Sequence, residues 1–147
     1  MGSDSTLIDY FIQDHRDCDE RWVEVERAIE SGDSTAVRAS WETFNREQRH
    51  HLDKEEQVMF PAFEEATGMT TGPTVVMRME HGQMRGLLEQ MESAIPGGDF
   101  QTVLDLGDTL LMLVQQHNQK EEGMLYPMAN SALGADWGSL KEKIEKL

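Results

Sequence analysis

The sequence predicts an all-α fold: an up-down-up-down antiparallel four-helix bundle of two similar helical hairpins, followed by a short C-terminal helix. Three observations carry that prediction. Apolar residues recur at alternating steps of three and four, the spacing of one helix face, and no strand-like alternation appears. The periodic segments are long and the breaks between them short, which makes neighbouring helices antiparallel. The chain also repeats itself: HLDKEEQVMFPAF at 51–63 returns 66 residues later as HNQKEEGMLYPMA at 117–129, both of the form H-x-x-K-E-E-x-x-x-[FY]-P. The same offset places His15 on His81, Asp33 on Asp99 and Pro61 on Pro127 without a gap.

Each element follows from its stripe and its punctuation. A first helix over about residues 5–31 carries Ile8, Phe11, His15, Cys18, Trp22, Val25 and Ile29 on one face, and Gly32 stops it. Asp33 caps a second, about 34–66, whose stripe is Val37, Trp41, Phe44, Gln48, His51, Glu55 and Val58. Pro61 lacks an N–H and is expected to kink or end the regular helix near Phe60, with a further turn toward Ala66. After the loop at 68–72, Pro73 opens a third helix bearing Thr74, Met77, His81, Met84, Leu88, Met91 and Ile95, which Pro96-Gly97-Gly98 ends. Asp99 caps a fourth, about 100–132, with Val103, Gly107, Leu110, Val114, His117, Glu121 and Met124 inward and Pro127 repeating the kink. The tail, about 136–146, reads as a short amphipathic helix with Trp137, Leu140, Ile144 and Leu147.

Composition narrows the function. Residues 1–147 read as one domain, long enough to bury a core without a disulfide or a metal. A formal net charge of −15 argues against nucleic-acid or anionic-membrane partners. One cysteine, Cys18, excludes an intrachain disulfide and suits a reducing compartment. The opening MGSDSTLIDYF lacks a basic-then-apolar leader, and no apolar run approaches a membrane span, so the expectation is a cytoplasmic protein.

The stripes also carry chemistry. His15, His51, Glu55, His81, His117 and Glu121 all fall on core positions, and a His and a Glu four residues apart share one helix face. Two buried carboxylates without partners cost several kcal/mol each, and a pair of metal ions would offset that. Imidazole with carboxylate suits iron, zinc, copper and nickel. Two metals sharing two carboxylates and an oxygen bridge inside a bundle favour iron, with manganese an option. Glu56 and Glu122 sit one residue, about 100°, off the stripe, toward a helix interface or solvent, from where they could accept from ligand imidazole N–H groups. His50 reads as a surface histidine. Stripe residues within a turn of the ligands would line a pocket: Phe11, Cys18, Phe44, Gln48, Met77, Met84, Val114 and Met124. The repeat sets Cys18 against Met84 and Gln48 against Val114, so either could act on a bound species or simply fill core. Asp19 and Arg85, equivalent in the repeat, are expected to pair.

Over roughly residues 8–132 the pattern resembles the hemerythrin-like, or HHE cation-binding, family of non-haem di-iron four-helix bundles; myohemerythrin, a relative, has this topology. The resemblance implies that His15, His51, His81 and His117 are terminal iron ligands and that Glu55 and Glu121 bridge two iron ions (Fe2+/Fe3+) beside a bridging oxide or hydroxide. The chain departs from the oxygen-carrying members. Arg85 stands where they have a second third-helix His, and the last carboxylate comes four residues after His117 rather than five, with Glu122 in the fifth place. The four-His, two-Glu subgroup leaves iron positions open. The expected function is binding or reduction of a small oxidant (O2, NO or H2O2), with an external electron donor if it turns over. The alternative is an iron-responsive sensing or storage module, or an iron-centre repair module, without turnover of its own.

Overall fold

A computed structural model describes residues 5–147; residues 1–4 of the opening segment lie outside the described residues. The described chain is helical, with no strand. Helix α1 (Leu7–Ser31) begins in a capping box in which Thr6 accepts from the Asp9 N–H and Asp9 answers the Thr6 N–H. It stops at Gly32, whose φ of 78° is the left-handed conformation that glycine adopts without strain. Asp33 then caps α2 (Ser34–Lys54) by accepting from the Thr35 and Ala36 N–H groups. Helix α3 (Phe60–Thr67) completes the first hairpin, and α4 (Pro73–Ala94), with Pro73 in its first turn, opens the second. Asp99 caps α5 (Phe100–Lys120), which leads to α6 (Tyr126–Leu133). A 3-10 turn (Gly134–Asp136) precedes α7 (Trp137–Glu145).

The regular helix is interrupted ahead of each proline, a few residues earlier than expected. The regular helix ends at Lys54 and at Lys120, and a π-helical turn, Glu55–Met59 in one hairpin and Glu121–Leu125 in the other, joins it to the next segment. The Phe60 N–H bonds Glu55 O, and the Tyr126 N–H bonds Glu121 O, five residues back. Widening the turn by one residue makes room for a ring that would otherwise strike the preceding turn and has no N–H to give it.

Helix α1 packs chiefly on α2 and α4 on α5, and contacts of α1 with α5 and of α2 with α4 close the bundle. Two apolar clusters fill it. One joins Trp22, Val25, Trp41, Phe44, Leu88, Met91, Val103 and Leu110 toward the interhelix turns at 32 and 98. The other joins Leu7, Phe11, Phe60, Phe63, Met77, Tyr126 and Leu133 at the opposite end. There α7 packs against the bundle, burying Trp137, Leu140 and Ile144, with the Trp137 indole N–H on Ser5 O at 3.0 Å. Leu147 does not join them and is exposed. A layer of buried polar side chains separates the two clusters. Among the described residues, no helix is long and apolar enough to cross a membrane.

Candidate metal centre

That polar layer holds all six residues that the stripes single out. His15, His51, His81 and His117 are buried, and Glu55 and Glu121 are wholly inaccessible to solvent. They form two groups of four: His15, His51, Glu55 and Glu121, and His81, His117, Glu55 and Glu121, each with its ligand atoms within 4.8 Å of one another. Both carboxylates belong to both groups. Glu55 places Oε1 3.0 Å from His81 Nε2 and 3.7 Å from His51 Nε2. Glu121 divides its oxygens between the groups, with Oε1 at 3.0 Å from His15 Nε2 and Oε2 at 3.2 Å from His117 Nε2.

Neighbouring donors around one octahedral ion, each about 2.1 Å from it, stand about 3.0 Å apart. The separations of 3.0 and 3.2 Å just given match that spacing, as does the 3.2 Å between His81 Nε2 and His117 Nε2. Three inward atoms, His51 Nε2, Glu55 Oε1 and Glu121 Oε2, are buried with no hydrogen-bond partner. Leaving such atoms unmatched costs about 1–3 kcal/mol each, more where charge is involved. The donor set therefore fits a pair of cations.

Every imidazole is held from behind by a carboxylate on its Nδ1. His15 meets Glu122 at 2.7 Å, His51 meets Asp14 at 2.7 Å, His81 meets Glu56 at 2.7 Å and His117 meets Glu80 at 2.8 Å. This fixes the ring with Nε2 facing inward and raises its basicity. Glu56 and Glu122 thus stand where the off-stripe reading puts them. Asp14 and Glu80, each one residue before a histidine, escaped it. The repeated Lys of H-x-x-K-E-E explains them: Lys54 Nζ holds Asp14 at 3.1 Å and Lys120 Nζ holds Glu80 at 2.6 Å. Arg85 does not pair with Asp19; it holds Asp53 at 3.0 Å and Glu56 at 3.1 Å, because it lies beside the second helix across the hairpin boundary.

The electrostatics follow from burial among carboxylates. Burial pulls the His15 and His81 imidazoles down, but the surrounding carboxylates outweigh it and carry both up to about 9. His117 also rises, against burial, through Glu121 and Glu55. His51, the most enclosed, is pushed down by burial. Burial and the charge of Glu121 push Glu55 up, whereas Glu121 is held low against burial by His117 and His15. Asp14, despite burial, is lowered to about 2 by His51 and Lys54.

The largest omission of the stripe reading is Tyr126. Its hydroxyl lies in the middle of the layer, 2.5 Å from Glu55 Oε2, 2.9 Å from Glu121 Oε1 and 2.9 Å from His15 Nε2. The π-helical turn puts it there. The fifth residue after Glu121 would sit about 140° away around an α-helix, but only about 50° away around a π-helix of about 4.4 residues per turn. The same rotation turns Met124 outward to 47% exposure, so its expected place in the pocket wall is wrong.

Of the other expected wall residues, Phe11, Phe44, Met77, Met84 and Val114 are buried as predicted. Cys18, Gln48, Phe44 and Val114 line a small cavity with Asp19, Trp22, Gly107 and Leu110, with about 10 Å³ open to the centre of a water molecule. Cys18 joins neither donor group. Burial, then Asp14 and Glu47, push its thiol well above the ordinary range, so it is a poor thiolate ligand.

The sequence profile of the Hemerythrin HHE cation binding domain matches residues 6–129. The chain belongs to that family. No curated protein and no solved structure matches it. The family and the two shared-carboxylate groups together point to a metal site, with iron the metal that the donors favour.

Proposed function

We propose that this hemerythrin-like domain holds two iron ions, one among His15, His51, Glu55 and Glu121 and one among His81, His117, Glu55 and Glu121, and binds or reduces a small oxidant there. The observation that carries the reading is the sharing of both carboxylates between two sets of otherwise separate histidines. Two imidazoles and two carboxylate oxygens leave an iron short of its usual six donors, so a small molecule has somewhere to bind. When bound, the metals would supply Lewis acidity and electrons.

The chain's residues do the rest. The four Nδ1 carboxylates aim the imidazoles, and Glu55 and Glu121 set the spacing of the pair. Phe11, Phe60, Met77 and Met84 exclude bulk water from either side. The cavity beside Cys18 and Gln48, about the size of one water, lies within a helical turn of His15, His51 and His117. Candidate ligands are O2, NO and H2O2, and turnover with the first two requires an external electron donor.

An anaerobic ferrous titration of the metal-free protein tests the ligand assignment. A break at two irons per chain is expected, and a break well below two in His81→Ala and Glu121→Ala. Full retention in both variants refutes it. Consumption of NO or peroxide by the loaded protein no faster than by the same amount of free iron would favour an iron-responsive module without turnover.

A further inference from the structure

The two proposed iron pockets, related by the 66-residue repeat, differ in the aromatic ring that stacks on a ligand histidine. Phe60 and Tyr126 are equivalent, both wholly buried, and both lie face to face with a histidine of their pocket. Phe60 stacks on His81 with ring centroids 5.5 Å apart, and Tyr126 on His15 with centroids 5.4 Å apart. One ring ends in hydrogen and the other in a hydroxyl, and that hydroxyl is within 2.9 Å of three inward donor atoms.

We infer that Tyr126 supplies a phenol oxygen to the metal position formed by His15, His51, Glu55 and Glu121, and thereby makes the two positions chemically unequal. The inference rests on the di-iron reading above. Its geometric support is that Tyr126 Oη, His15 Nε2 and Glu121 Oε1 stand 2.9, 2.9 and 3.0 Å apart, a triangle of the size that three adjacent donors on one octahedral ion describe. Glu55 Oε2, at 2.5 Å from Oη, borders the same triangle. A hydroxyl serving only as a core hydrogen-bond donor needs one acceptor; this one is surrounded by the atoms that would face the ion.

The chemistry is consistent. Without metal, the phenol proton lies between Glu55 and Glu121 and relieves the repulsion of their oxygens. A cation in the pocket takes over that task. As the iron–oxygen bond forms the O–H bond breaks, the electron pair stays on oxygen and the proton leaves to water. The pocket of His81 and His117 has no equivalent donor, because Phe60 occupies its place. One iron would therefore have two nitrogen and three oxygen protein donors and its neighbour two of each.

The test reads the metal's environment rather than activity. Ferric iron bound to a phenolate absorbs in the visible, where imidazole and carboxylate donors do not, and excitation there enhances tyrosine ring vibrations. The wild-type protein loaded with two ferric irons is expected to show such a band, ring modes that shift with ring-deuterated tyrosine, and two distinct Mössbauer doublets. In Tyr126→Phe the band is expected to vanish, and the doublets to converge or one iron to be lost while the circular dichroism stays helical. In Tyr10→Phe, which removes the other tyrosine, the band is expected to remain. A wild-type protein with two irons and no visible band overturns the inference and leaves the di-iron reading standing, as does a Tyr126→Phe spectrum identical to wild type. A wild-type protein that binds fewer than two irons overturns both.

Discussion

Gly107 offers a sharp test of how the bundle is packed around the site. It lies in α5, buried, against the six-membered ring of Trp22. A Cβ at this position would stand 2.2 Å from Trp22 Cζ2 and 2.3 Å from Cη2, more than 1 Å inside ordinary contact. The indole is itself buried and packed on Phe44 with centroids 5.3 Å apart, and the adjoining cavity has room for only one water. Overpacking of this kind costs about 1–3 kcal/mol. The substitution regains about 1 kcal/mol of helix propensity. The clash involves two atoms of a rigid ring, which places it in the upper half of the range, so Gly107→Ala is expected to destabilise by about 1–2 kcal/mol. At about 2–4 °C per kcal/mol for a chain of this size, Tm should fall by roughly 2–8 °C. Gly86 is the control: it is interior to α4 and no atom lies within 4 Å of its would-be Cβ, so Gly86→Ala should stabilise by up to about 1 kcal/mol. Thermal melts of the metal-free variants, followed by far-ultraviolet circular dichroism, decide it. Two alanines that shift Tm in the same direction, or a Gly107→Ala at or above wild type, would refute the packing argument.

Metal removal and pH act on the same cluster. His15 and His81 are raised from 6.5 to about 9 in the metal-free fold, so their contribution is fully present below pH 6.5 and is lost as pH rises through about 9. The metal-free protein should therefore lose Tm between pH 6.5 and 9, and a flat profile over that window would contradict the assignment. Iron binding at pH 7 must displace those two protons and that of the Tyr126 phenol, so calorimetry in buffers of different ionisation enthalpy should register release of about three per chain. Asp14→Asn removes the carboxylate behind His51 and should weaken metal binding about 10- to 100-fold in chelator competition; unchanged affinity would show that Asp14 matters only for Lys54. Stripping metal held at a thousandfold excess over Kd should cost about 4 kcal/mol of unfolding stability, measured as a lower urea midpoint.

Much of this site is visible in the chain because the repeat sets six donors in register on four stripes, and His51–Glu55 and His117–Glu121 need only ordinary helical geometry to share a face. The supporting carboxylates were half visible. Glu56 and Glu122 adjoin ligand candidates within the repeated motif, whereas Asp14 and Glu80 differ in residue type and stand outside it. Tyr126 was hidden for a different reason. A 3.6-residue period places it away from Glu121, and only the widened turn before Pro127 rotates it inward and Met124 outward. The signal available was the single F-to-Y change in an otherwise matched motif.

The shared carboxylates bear on how long an ion stays. Each hairpin contributes one of them, yet both face both pockets, and neither has any surface open to solvent. An ion held there would touch both halves of the chain at once, behind carboxylates with no exposed surface, and would leave most readily when those halves separate. Its departure is then set by how often α1–α2 and α4–α5 part, not by the strength of any single metal–ligand bond. Exchange of labelled iron would serve as a clock for that opening, and a substitution far from the ligands, such as the alanine at Gly107, would make the clock run faster.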